Sequence, residues 1–137
     1  INAAFDDTPV ELIETAGLKG VAGAIDLVIA NPPFMAGKVT RIYRDGGGAL
    51  GADLSVAWAR EAMARLKPGG RMLLYTGSAI VGGEDPLRAE LESACKTAGC
   101  ALTWREIDPD IFGNMLLLPA YRDVERIAAV GAVLTKT

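Results

Sequence analysis

Apolar residues in this chain fall into short runs and helical stripes separated by glycine- and proline-rich punctuation. Asp26-Leu27-Val28-Ile29-Ala30 is an apolar run bounded by turn formers. That pattern suits a strand buried on both faces of a parallel sheet. Val10-Glu11-Leu12-Ile13 predicts a shorter strand before it, joined by a glycine-rich connection over residues 17–23, and residues 1–7 read as the tail of a helix. Leu54, Ala57, Trp58, Ala62 and Leu66 recur at helical spacing and predict an amphipathic helix. Asp53 is its expected cap, and Lys67-Pro68-Gly69-Gly70 its stop and turn. Arg71 to Tyr75 reads as another buried strand, with a loop from Thr76 to Glu84. Asp85-Pro86 offers a cap and a first-turn proline for a second helix. Its buried stripe is Leu87, Leu91, Ala94, Cys95 and Ala98, and Gly99 ends it. Ala101 to Ile107 alternates as a strand with Leu102 and Trp104 on one side. A long connection follows, whose Phe112 and Tyr121 are expected to be exposed and to cover a site or meet a partner. Ile127 to Leu134 predicts a last strand, antiparallel to its neighbour.

Strands alternating with helices argue an α/β fold: a right-handed, Rossmann-like, mostly parallel sheet with helices on both faces. A chain of 137 residues, half of them apolar, fits a single domain with a real core. The net charge of −3 gives no chain-wide pull toward nucleic acid. No apolar run approaches the roughly 18 residues of a membrane span. No signal peptide is recognisable at the start, and Cys95 and Cys100 match no metal or redox spacing. These features lead to the expectation of a cytoplasmic protein with reduced thiols. Histidine is absent, which excludes a Ser-His-Asp or Cys-His site and histidine-ligated metal within the chain.

The chemistry concentrates in Asn31-Pro32-Pro33-Phe34, directly after the central strand. Two prolines remove successive N–H donors, and the residue before a proline is held extended. An amide, two donor-free prolines and an aromatic ring therefore sit at the carboxyl end of a strand, where open α/β sheets bind ligands. The Asn31 side-chain carbonyl and the Pro32 carbonyl are two acceptors close together, suited to a planar NH₂ group that donates both hydrogens. Such a grip favours the nucleophilic, pyramidal nitrogen. Phe34 can stack on a flat substrate such as an unstacked base. The competing reading is a Pro-Pro turn that only ends a strand.

Asn31-Pro32-Pro33-Phe34 after Asp26-Leu27-Val28-Ile29 resembles the Asn-Pro-Pro-aromatic signature of class I S-adenosylmethionine-dependent methyltransferases that modify nitrogen, namely the N6-adenine, N2-guanine and glutamine-N5 enzymes. The helix, Pro-Gly-Gly turn and apolar strand over residues 53–75 resemble the segment that follows this signature in the family. The resemblance implies that Asn31 and the Pro32 carbonyl hold the target nitrogen and that Pro33 and Phe34 pack on the substrate. It implies S-adenosyl-L-methionine as cofactor, touched by Asn31, and a nucleic acid or a protein glutamine as acceptor. The family also carries an acidic residue after the preceding strand, against the cofactor's adenine. The aligned position here is Ala16, and Glu14 is a weak substitute that reads equally as a surface glutamate. The family's glycine-rich cofactor turn lies on a strand that has no counterpart here. Residues 1–137 are therefore expected to be the carboxyl-terminal part of one methyltransferase domain, an incomplete version of the fold that binds the donor poorly. Sheet edges exposed in this way are expected to re-pair internally or to form a homodimer. A non-catalytic interaction or structural fragment that has lost the donor-binding half is the alternative.

Lys38, Arg41 and Arg44 follow at three-residue spacing. On a helix they would share a face able to meet phosphates or an acidic partner, or simply form a solvated basic face. Gly46-Gly47-Gly48-Ala49-Leu50-Gly51 matches the G-x-G-x-x-G dinucleotide pattern, but it follows no apolar strand. It reads as a mobile loop on the substrate side.

Overall fold

The computed structural model describes residues 9–36, 44–111 and 113–137. Four strands form one sheet: β1 (Ile25–Ala30), β2 (Leu66–Ile80), β3 (Cys100–Asp108) and β4 (Arg126–Lys136), in the order β1-β2-β4-β3. Helix α1 (Asp53–Arg65) links β1 to β2, and α2 (Pro86–Ala98) links β2 to β3. Two short 3₁₀ turns, Gly113–Leu117 and Pro119–Tyr121, precede β4. β1 runs parallel to β2, whereas β4 is antiparallel to both β2 and β3. The α/β class and the antiparallel last strand are as the pattern predicts. Within the described residues, however, the parallel pairing is confined to β1 and β2, so the sheet is mixed.

Both α-helices pack on one face. Val56, Ala59 and Met63 of α1 and Leu87, Leu91 and Cys95 of α2 meet Met72, Leu74, Ala132 and Leu134 of the sheet in a single core. A wholly buried leucine such as Leu91 contributes roughly 1.5–3 kcal/mol there. The opposite face lacks an α-helix among the described residues. It is covered only at the carboxyl end of β2, where Met35, Ala36, Ala79, Tyr121, Val124 and Ile127 make a second cluster. The α1 stripe is rotated from the one expected. Ser55, Val56, Ala59, Ala62 and Met63 are buried, while Ala57 is exposed and Leu54 and Trp58 are half-buried. The helix also starts one residue early: Ala52 is the N-cap and makes no side-chain hydrogen bond, so Asp53 acts as a first-turn acid instead. α2 follows its pattern closely, from the Asp85 cap to the Gly99 stop.

Several sequence expectations are corrected. Val10–Ile13 is not a strand; it pairs with no described residue, and Leu12 is 86% exposed. An isolated extended segment without a ladder partner leaves its N–H and C=O groups to water, so it gains nothing from strand geometry. Arg65 instead organises the approach to β1, donating to the carbonyls of Leu18, Val21 and Gly23. β1 is an edge strand and not doubly buried: Leu27 is 51% and Ile29 74% exposed. Lys67-Pro68-Gly69-Gly70 forms an irregularity within β2, because the pairing jumps from Ile25–Leu66 to Leu27–Arg71. Thr76 to Ile80 is strand and not loop, held by its ladder with Arg126–Val130. The expected helix at residues 1–7 lies outside the described residues, as do Lys38, Arg41 and Phe112.

Candidate active site

β1 ends where its ladder ends, with Ala30 opposite Leu74. Asn31 leaves the sheet there, and the two prolines that follow have no N–H with which to extend it. Asn31 is exposed, Pro32 is buried, and Pro33 and Phe34 are half-buried. All four line one cavity of about 300 Å³, together with Met35, Arg44 and Met115. Neither the Asn31 amide nor the Pro32 carbonyl hydrogen-bonds to another described residue. The cavity thus gathers an amide residue, two prolines, an aromatic ring, an arginine and two methionines.

The backbone just beyond the quartet is held from both sides. Met35 N–H donates to the Arg44 carbonyl at 2.9 Å, and Gly46 N–H donates to the Met35 carbonyl at 2.8 Å. Leu54 N–H then donates to the Gly46 carbonyl at 2.8 Å, tying this bridge to the start of α1. On the other side, Ala36 N–H donates to Tyr121 Oη at 2.6 Å, and both residues are buried. Burial pushes the Tyr121 hydroxyl above its ordinary value of 10.0; the Ala36 hydrogen bond opposes this, and the Asp45 charge adds to it. The expectation that Tyr121 is exposed is thus overturned, since it is 1% exposed and forms part of the second core. Phe34 rests on β2, its ring against Gly77.

The glycine run after Asp45, expected as a loop on the substrate side, is a loop of turns that lies against the quartet. Gly51 packs so closely on Phe34 and Met35 that a Cβ there would meet the Phe34 carbonyl and the Met35 backbone. Its φ of 77° is also a conformation that favours glycine. These glycines form a clasp around the segment after the quartet.

Of the other candidate residues, Glu14 is exposed and lines neither the 300 Å³ cavity nor those beside β1. One of those, about 180 Å³, lies between Gly17, Leu18, Val28, Trp58 and Glu61. The other is a shallow apolar groove of about 440 Å³ over Leu73, Tyr75, Ile107 and Val133, and Asn31 stands at its end. Met115 was not identified from the sequence, because nothing local distinguishes it and its place depends on the 3₁₀ turns. Arg44, the last of the three basic residues at that spacing, is the one that the described residues place at the cavity. Among the described residues no cluster of His, Cys, Asp or Glu could hold a metal ion.

No protein-family model matches the chain. Over 133 residues it is 32% identical to the release factor glutamine methyltransferase of Deinococcus radiodurans, covering 88% of this chain and 44% of that protein. The chain thus spans less than half the length of this relative. Among solved structures it is similar to a methyltransferase from Pyrococcus furiosus, with a TM-score of 0.47 and 19% identity over 85% of this chain and 43% of that one. It is also similar to a putative DNA modification methylase from Thermus thermophilus complexed with S-adenosyl-L-methionine, with a TM-score of 0.42 and 20% identity over 83% of this chain and 48% of that one.

Proposed function

We propose that this chain forms the acceptor side of an S-adenosyl-L-methionine-dependent methyltransferase that methylates an amide or amino nitrogen, with a protein glutamine as the leading acceptor. The observation that carries the proposal is the presence of Asn31, Pro32, Pro33 and Phe34 together on one cavity at the carboxyl end of a strand. The sequence likeness to a glutamine methyltransferase supports the choice of acceptor.

The Asn31 side-chain carbonyl and the Pro32 carbonyl accept the two hydrogens of the target NH₂. That orients the nitrogen and shifts electron density onto it. Phe34 packs on the flat carboxamide, and Met35 and Met115 give the cavity apolar sides, while the exposed Asn31 end stays open to solvent. A sulfonium donor supplies a methyl group that is already electrophilic, so no strong general base is needed. The nitrogen lone pair forms the new carbon–nitrogen bond as the carbon–sulfur bond breaks, and the surplus proton leaves to water. The chain's contribution is then positioning, which alone can account for several kcal/mol of a barrier. Of the two cofactor candidates, Asn31 fits the donor because it borders both the acceptor cavity and the adjoining groove, whereas Glu14 does not.

The test is methyl transfer from labelled donor by the full-length protein, with bulk protein and bulk RNA as acceptors. Label in protein, with Asn31→Ala lowering turnover far more than donor affinity, is the expected result. Unchanged turnover in Asn31→Ala rejects the grip, and label in RNA alone rejects glutamine.

A further inference from the structure

The acceptor cavity is built from three separate stretches: the quartet after β1, the Arg44 end of the glycine clasp, and Met115 on the first 3₁₀ turn. Nothing in the sequence order brings the last of these to the first two. A hydrogen bond that does so is Ala36 N–H to Tyr121 Oη, at 2.6 Å between residues 85 positions apart. Tyr121 ends the second 3₁₀ turn, whose N–H donates to the Leu118 carbonyl, and Leu118 N–H donates in turn to the Met115 carbonyl. A continuous chain of hydrogen bonds therefore runs from Met115 through Leu118 and Tyr121 to Ala36. Met35, next to Ala36, is fixed on its other side by Arg44 and Gly46.

We propose that Tyr121 is a positioning residue that sets the separation between Met115 and the Phe34–Met35 wall, and so decides how well the cavity holds a flat acceptor group. The role rests on the methyl-transfer reading of that cavity. Tyr121 itself does not line the cavity, so it acts through Ala36 and not by touching the acceptor. A fully buried Ala36 amide has no water to turn to when this oxygen is removed. Its segment must then shift or leave the donor unsatisfied.

The chain's methionines make the test direct. Met35 and Met115 line the cavity, whereas Met63 and Met72 lie in the other core and serve as internal controls. In protein labelled with ¹³C at the methionine methyls, Tyr121→Phe keeps the ring and removes only the oxygen. It is expected to move the Met35 and Met115 signals, to leave Met63 and Met72 in place, and to speed exchange of the Ala36 amide. In the full-length protein, with an Ala-Gln-Ala peptide as acceptor, KM for the peptide should rise by about fivefold or more while donor affinity stays constant. Stationary Met35 and Met115 signals overturn the proposal, as do shifted signals with unchanged peptide KM. Movement of all the methionine signals would mark general loosening and overturns it too. A full-length wild-type protein that transfers no methyl to any acceptor would instead overturn the methyl-transfer reading, and the methyl signals would still decide whether Tyr121 shapes the cavity.

Discussion

The ring of Phe34 rests on the α-carbon of Gly77, so close that a methyl group at that position would overlap the ring. Gly77 lies inside β2, opposite Ala129 of β4, where the ladder holds its backbone in place. The ring and not the strand must yield to any added atom.

Gly77→Ala is therefore expected to push Phe34 into the cavity it lines. The overpacking should cost roughly 1–3 kcal/mol of stability, read by denaturant unfolding. The acceptor kcat/KM should fall with it. Phe34→Leu in the Gly77→Ala background should restore stability but not turnover, because the smaller side chain makes room without replacing the aromatic face. Additive losses in that double variant would mean that the two residues do not share the space.

Asp85 joins two elements. Its Oδ1 accepts from Arg88 N–H at 2.9 Å, capping α2, and from Ser78 Oγ at 2.6 Å on β2. Asp85→Ala should lower stability by about 1–2 kcal/mol, with no change in peptide KM. Asp85→Asn keeps an acceptor and should lose less. Thermal melts of the two variants check the order, and equal losses would show that the cap contributes little.

The parts of the fold that were legible in the sequence are those fixed by local chemistry. Asp85-Pro86 and Gly99 bound α2, and the stripe Leu87, Leu91, Ala94, Cys95 repeats at helical spacing, so both ends and the buried face could be placed. The quartet after β1 was legible because prolines restrict the backbone wherever they occur. What depends on distant partners was not. The rotation of α1 follows from a core shared with α2, which buries Ala59 and Met63 in preference to the larger Trp58. Residues 76–80 look like a loop, but their ladder with β4 makes them strand. The glycines after Asp45 read as a loop beside the site, but the sequence could not show that their missing side chains let Gly51 lie on the backbone of Phe34 and Met35. Tyr121 was expected at the surface because its hydrogen-bond partner lies far away in sequence.

Cys95 offers a test of the main core that does not involve the site. It is 2% exposed, and its thiol donates to Met63 Sδ at 3.6 Å. Burial, with a smaller effect from Cys100, raises its pKa from 9.0 to about 11. The buried thiolate is disfavoured, so the folded state holds this proton more tightly than the unfolded state does. The resulting stability is fully present below pH 9.0, declines as pH rises, and is lost by about pH 11. Cys95→Ser should show a shallower decline over that range than the wild type, in urea titrations at a series of pH values. Alkylation should modify Cys100 well before Cys95 under native conditions. Equal rates at the two thiols would contradict the burial.

The exposed edge of the sheet yields the last prediction. β1 has β2 on one side and no strand on the other among the described residues, and Ile29 is 74% exposed with Leu27 beside it at 51%. An unpaired edge with apolar side chains is a template for another strand or sheet. The chain by itself is therefore expected to self-associate in a concentration-dependent way, through β1. Sedimentation equilibrium on the wild-type chain should give a mass above that of a monomer. Ile29→Lys places a charge on the exposed face of that edge without touching the core that Val28 and Ala30 join. It should restore the monomer while leaving the monomer's own unfolding free energy within about 0.5 kcal/mol, measured at concentrations too low for association. A wild-type chain that stays monomeric at every concentration tested, or an Ile29→Lys chain that still associates, would remove β1 as the contact.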